Sequence, residues 1–366
     1  MNDMLAKVIS DLKVDPLFNI SLSSKELFHS NFWKWMWEVL DKKMVISLFS
    51  DTFVYEEDMI CEREKSHIDL MIGNGKRTLY IENKVKNVFH NTQLEEYIAK
   101  HKKHEGDEFV LVTMYPVSEK LPEGWKHITY ERILEKLKTV KHKYSSVNTY
   151  IEGYSLLIRK LLMLYKVLPQ HKYYDFYRCA ENDEFISALK TIKMHDFYIK
   201  YRAGNMVGYI FDKLEADERF KGRVVFGLNE YEKAVKGSIV TNWSFNRGKP
   251  TMDFIYCLGD AVGIGIQIEA EQYRKFLWAG KNCQQTAKKL LDEDIWFDKK
   301  FTYKGNKTLL GYKGKNGLLT SQYQYDKGKP IAYWEQYIAL YNRIFSELTY
   351  IDANSKKISK LVGYNR

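Results

Sequence analysis

Cysteine is scarce in this chain: there are four among 366 residues, Cys61, Cys179, Cys257 and Cys283, and no Cys-x-x-Cys pair. That spacing excludes a zinc ribbon and a disulfide framework, and reduced thiols in a cytosol fit it best. Proline is held to 6 residues while apolar residues reach 45% and aromatics 15%, which excludes collagen-like, low-complexity and disordered classes. Long hydrophobic runs are missing too. The most apolar stretch, 156–168, is interrupted by Arg159, Lys160 and Lys166, and residues 1–15 have no basic start ahead of an apolar segment. Membrane spanning and secretion are therefore not expected, and a cytoplasmic location is. No GxxxxGK[ST] occurs, and Gly263-Ile264-Gly265 lacks the spacing of a dinucleotide fingerprint, so no nucleotide cofactor is expected.

What the chain does have is length for a large core and an uneven charge. The net charge is +10, with 25 basic against 24 acidic residues in 1–170 and 32 against 23 in 171–366. A surplus confined to the second part suits a polyanionic partner, with ordinary solubility as the bland alternative. Pro169-Gln170 breaks a helical pattern and divides the chain into domains 1–169 and 170–366.

In the first domain, apolar residues at three-to-four spacing from Leu27 to Leu40 predict an amphipathic helix, opened by Ser23-Ser24-Lys25-Glu26. Extended segments are expected at 52–62, 66–73 and 77–86, a helix from Asn91 to about His104, a strand at 108–114, and helices near 130–140 and 146–168. Asn74-Gly75 reads as a two-residue hairpin turn, which would set Ile68 against Ile81, Leu70 against Leu79 and Asp69 against Tyr80. Alternation then gives one apolar face and one face carrying Asp69, Tyr80, Glu82 and Lys84. In that register Asp69 and Glu82 are diagonal neighbours, and their charges repel by about 2 kcal/mol at an effective dielectric near 20. A cation between them would remove that cost. Oxygen ligands with no nearby thiol favour Mg²⁺, with Mn²⁺ as the substitute, and the carbonyl of Asn83 is a further ligand candidate. Lys84, two residues on, can hold a water or neutralise charge on phosphorus; the bland alternative is a solvated strand on which Lys84 only pairs with Glu82.

These residues resemble the PD-(D/E)XK nuclease superfamily, and more closely its uncharacterised bacterial branch. The resemblance rests on Glu26-Leu27-Phe28-His29-Ser30-Asn31-Phe32, then Ile68-Asp69-Leu70-Met71-Ile72, then Tyr80-Ile81-Glu82-Asn83-Lys84, then Gln93 and Tyr97, in that order on helix, hairpin and helix. It implies an α/β fold with a restriction-endonuclease-like core, a mixed central sheet flanked by helices. It also implies Asp69 and Glu82 as metal ligands, Lys84 as the catalytic lysine, and Gln93 as a support for the site or for the substrate backbone. Glu26 matches a glutamate the family places near its metals, and it is also the far member of a capping box begun by Ser23. The proline of the family name is replaced by Ile68.

The second domain is read as α+β, with helices near 181–193 and 203–217, strands around 237–245, 251–258 and 261–270, and a last helix over 331–348. Lys304, Lys307, Lys313 and Lys315 alternate with tyrosines and glycines in a stretch without acidic residues, a pattern able to follow a phosphate backbone and stack bases. Arg274 is a further candidate to face nucleic acid. The expectation is therefore a Mg²⁺-dependent nuclease whose second domain engages substrate, with DNA favoured over RNA. An RNA-cleaving toxin or defence nuclease, or a silent nucleic-acid-binding module on the same fold, is the alternative; a homo-oligomer or a defence-system partner is compatible with either.

Overall fold

The structure, a computed structural model, describes residues 3–21, 25–65, 67–85, 91–115, 117, 121–168, 184–227, 234–246, 249–259, 262–270, 272–279, 283–299, 309–313, 319–325 and 337–363. The chain forms two compact units, Met1–Gln170 with Ser187–Phe197, and His171–Ile186 with Tyr198–Arg366. The Ser23 cap and the opening of the expected last helix, 331–336, lie outside the described residues.

In the first unit the elements run α1 (Asp3–Lys13), α2 (Pro16–Ile20), α3 (Lys25–Val39), α4 (Lys42–Ser47), β1 (Ile60–Lys65), β2 (Ile68–Gly73), β3 (Thr78–Lys84), α5 (Asn91–His101), β4 (Glu108–Thr113), β5 (Trp125–Thr129), α6 (Tyr130–Leu137) and α7 (Ser145–Val167). The five strands lie in chain order, with β1, β2 and β3 antiparallel and β3, β4 and β5 parallel, so the sheet is mixed. Helices α1, α2 and α4 and strand β5 are additions to the expected elements, and the stretch expected to be extended from residue 52 becomes a strand only at Ile60.

The hairpin register differs from expectation by two residues. Leu70 pairs with Ile81, Met71 with Tyr80, Ile72 with Leu79 and Gly73 with Thr78, leaving a four-residue loop. The cause is Asn74. Its Oδ1 accepts from the amides of Lys76 (3.2 Å) and Arg77 (3.3 Å), and its Nδ2 donates to Glu56 (2.6 Å) and Asp58 (2.9 Å). The asparagine is thus recruited into an Asx turn by the preceding loop, a competition that short polar side chains often win. Glycine is required beside it, because a Cβ on Gly73 would lie 2.5 Å from Thr78 Oγ1, and Gly75 sits at φ +81°. A slip of two keeps every side chain on its face.

Neither face of the sheet is left to solvent. Leu70, Ile72, Leu79 and Ile81 are fully buried, and α3 packs across β1, β2 and β3. Tyr80, Phe109, Leu111 and Trp125 pack with Leu94, Tyr97 and Ile98 of α5. Strand β3 is consequently buried along its length, as parallel neighbours with helices on both sides require.

The remaining elements are α8 (Glu184–Lys190), α9 (His195–Ala216), β6 (Val224–Phe226), β7 (Ile239–Asn246), β8 (Lys249–Gly259), β9 (Val262–Glu269), β10 (Gln272–Trp278), α10 (Cys283–Asp292), β11 (Leu310–Lys313), β12 (Leu319–Tyr325) and α11 (Tyr337–Val362). The second unit holds the strands β6 to β12 as one seven-stranded sheet, α10, α11, most of α9 and residues 184–186 of α8. The strand order is β11-β12-β10-β9-β8-β7-β6, antiparallel except for β6 against β7. Ile264, Ile266 and Ile268 are fully buried, as their alternation predicts. Helix α11 packs on β8 and β9. There Arg223 Nη2 and the Tyr256 hydroxyl both donate to Asp352, at 2.6 and 2.8 Å. Together the units form a mixed α/β core followed by an α+β domain.

Candidate active site

Strand β3 delivers three consecutive site residues, and alternation sends Glu82 and Lys84 to the α5 side and Asn83 to the α3 side. The paired register ends at Leu70 against Ile81, so Asp69 and Glu82 are the next residues of their strands, and the Asn83 amide donates to the Asp69 carboxylate there. The two-residue correction therefore brings the carboxylates closer than the diagonal arrangement, with Cβ atoms roughly 5 Å apart, and their repulsion rises to about 3 kcal/mol.

The solvated-strand alternative does not describe this face. Lys84 Nζ lies 2.6 Å from Glu82 Oε1, with side chains only 11% and 3% exposed. Glu82 Oε2 is buried and has no hydrogen-bond partner. Asp69 Oδ2 accepts the backbone N–H of Asn83 at 2.7 Å. Burial, then the charge of Glu82, pushes the Asp69 carboxyl up to about 7, against the pull of the Asn83 amide and Lys84. Glu82 is also raised, by burial, with Lys84 opposing. Burial alone would depress the Lys84 ammonium, but Glu82 and Asp69 outweigh it and hold it above its ordinary value. Lys84 is thus a cation and a hydrogen-bond donor, not a base.

Asn83 is fully buried. Its Nδ2 donates to the carbonyl of Glu26 at 3.2 Å and its Oδ1 accepts from the Tyr130 hydroxyl at 2.7 Å. Glu26 is close enough to add a small upward push to both carboxyls, yet it does not complete a ligand cluster with them. Among the described residues no group of three or more His, Cys, Asp or Glu stands within metal-holding distance. On the other side of the sheet Gln93 Nε2 donates to the Tyr97 hydroxyl at 2.7 Å, and that hydroxyl donates to the carbonyl of His67 at 2.9 Å. His67 adopts φ +74°, just ahead of Asp69. Gln93 therefore reaches the site through Tyr97 and the strand leading to Asp69. Glu62 is paired with Lys65 at 2.7 Å, and Glu64 is exposed at the end of β1.

The basic candidates of the second unit fare differently. Arg274 was expected to face nucleic acid, and it is buried in β10: it donates to Gln267 (2.9 Å) and Gln272 (2.6 Å) and pairs with Glu269. Three polar neighbours in the sheet enclose the side chain, so it is not presented to a ligand. Lys304, Lys307 and Lys315 lie outside the described residues, and Lys313 ends β11. The reading of residues along the chain missed Tyr130 and the full role of Asn83. The only local signal is that Asn83 occupies a strand position pointing away from the carboxylates, and Tyr130, opening α6, has none.

A buried Glu82 with one orphaned oxygen, a half-buried Asp69 beside it and an adjoining ammonium fit a divalent cation. Asp69 and Glu82 are the side chains that would hold it, and hard oxygen donors suit Mg²⁺. Residues 36–155 match the sequence model of the PD-(D/E)XK nuclease superfamily. The match contains Asp69, Glu82, Lys84, Gln93 and Tyr97 and begins after the Glu26–Phe32 segment. No curated protein and no solved structure matches the chain.

Proposed function

We propose that this domain, a member of the PD-(D/E)XK nuclease superfamily, hydrolyses phosphodiester bonds with a divalent cation, Mg²⁺ in first place, and that the second unit engages the nucleic acid. The orphaned Oε2 of Glu82 facing a strongly raised Asp69 carries this reading, because both anomalies disappear when a cation lies between them. The ion, when bound, supplies Lewis-acid polarisation of a phosphodiester oxygen and a more acidic water. Asp69 and Glu82 hold and orient. The Asn83 amide keeps one Asp69 oxygen turned toward its strand. Lys84, positively charged, donates toward the anionic charge that develops on the phosphate. DNA is the favoured substrate because most members of the superfamily act on it, and the basic surplus of residues 171–366 supports a polyanion there.

Double-stranded DNA, single-stranded DNA, total RNA and tRNA, each incubated with Mg²⁺, Mn²⁺ or chelator, provide the test. Product is expected from DNA with metal alone, and Lys84→Ala is expected to slow it by about 10²–10³-fold. Product from RNA only would move the substrate class. Equal binding in chelator with no cleavage of any substrate would replace the enzyme with a binding module.

A further inference from the structure

Asn83 is an unusual residue to bury between the two charged members of a site. Its side chain is not on their face, because alternation turns it through the sheet toward α3 and α6. Behind the sheet it is held at both ends: Nδ2 by the Glu26 carbonyl of α3, and Oδ1 by the Tyr130 hydroxyl of α6. In front, its own backbone N–H holds Asp69. Any rotation of this one residue shifts Glu82, Lys84 and the hydrogen bond to Asp69 together.

Tyr130 is itself fixed. It is fully buried, and burial pushes its hydroxyl well above the ordinary value, so it stays protonated and donates. The Tyr154 hydroxyl stands 2.7 Å from His29 Nδ1. The His29 ring meets Tyr130 edge to face at 5.0 Å. Donating its only proton to Asn83, Tyr130 fixes the amide with Oδ1 toward α6 and Nδ2 toward α3.

We infer that Tyr130, backed by Tyr154 and His29, is a positioning residue that sets the Glu82-Asn83-Lys84 segment from behind the sheet through the Asn83 amide. It touches neither substrate nor ion. This inference rests on the proposed metal-dependent reading for its effect on catalysis, and on the hydrogen bonds alone for its effect on the strand.

Tyr130→Phe removes the hydroxyl and keeps the ring. Mn²⁺ affinity measured by calorimetry is expected to fall about 10-fold, and kcat by about 10–100-fold, with KM for nucleic acid unchanged within about twofold. Amide exchange of Asn83 is expected to accelerate relative to the amides of β4. Asn83→Leu is expected to reproduce these changes, and the double variant to be no worse than either single one, since both remove the same link. Unchanged Mn²⁺ affinity and Asn83 exchange in Tyr130→Phe would overturn the inference, as would losses that multiply in the double variant. If the wild-type protein neither binds Mn²⁺ nor cuts, the nuclease reading fails, and Asn83 exchange alone then decides the positioning role. Should Tyr130→Phe not fold, Tyr154→Phe removes the hydroxyl that holds the His29 ring against Tyr130 and is read by the same exchange measurement.

Discussion

Asp69→Asn is expected to make the metal-free protein more stable while abolishing metal-dependent cleavage. The two effects have one cause. Asp69 is pushed from its ordinary 3.8 to about 7 by burial and by Glu82. A raised carboxyl means the folded chain keeps a proton that the unfolded chain releases, so this contribution is fully present below about pH 4 and is lost as pH rises through about 7. At 1.36 kcal/mol for each unit, the upper bound on that loss is roughly 4 kcal/mol, and relaxation of the site reduces it to about 1–3. Asparagine is nearly isosteric, still accepts the Asn83 amide and leaves the Glu82–Lys84 pair intact, so it removes the repulsion without opening a cavity. Thermal melts at about pH 4 and about pH 7.5 check the sign: the variant should gain several degrees at the higher pH and nothing at the lower. Added Mg²⁺ should raise the wild type and leave the variant unmoved, because one of two ligands is gone. Cleavage should drop by about 10³-fold or more. A variant less stable than wild type at about pH 7.5 would mean that Asp69 stabilises the fold and is not held there at its expense.

The same site shows where local reading succeeds and where it stops. Asp69, Glu82 and Lys84 are legible because strand alternation is a property of neighbouring residues, and it survives a register slip of two. The register is not legible, because it depends on Glu56 and Asp58 reaching across to Asn74. Asn83 is still further out of reach: its partner Tyr130 is 47 residues away, and the His29–Tyr154 bond behind it spans 125. In Gln93-x-x-x-Tyr97 the partners share one helix, so spacing alone proposes them. Arg274 misleads for the complementary reason. An arginine between tyrosine and lysine reads as surface, and only the sheet shows that its acceptors come from the adjacent strand and from its own.

Those acceptors lead to the last expectation, a loss of stability in Gln267→Leu. Asn242, Asp253, Gln267 and Arg274 occupy paired positions on β7, β8, β9 and β10, one row across the sheet. Arg274 has donors only, so its Nη1 fixes Gln267 with Oε1 toward it at 2.9 Å. Gln267 Nε2 must then point the other way, where it donates to Asp253 Oδ1 at 2.8 Å, and Asn242 donates to Oδ2 at 3.3 Å. Each residue in the row dictates the orientation of the next, and Asp253 is the acceptor on which the row closes. Leucine at 267 is close in volume, so the cost is electrostatic: it strands one donor of Arg274 and one oxygen of Asp253, both more than nine-tenths buried. About 2–4 kcal/mol is expected, seen as a lower midpoint for the second unit's unfolding. The pH dependence identifies the cause. Burial raises the Asp253 carboxyl, while Gln267, Asn242 and Arg274 draw it down. Losing the Gln267 donor raises it further, so the penalty should grow as pH rises through the folded value and shrink when Asp253 is protonated in both states. A Gln267→Leu penalty of the same size at low and high pH would assign the loss to packing and dissolve the row as an electrostatic unit.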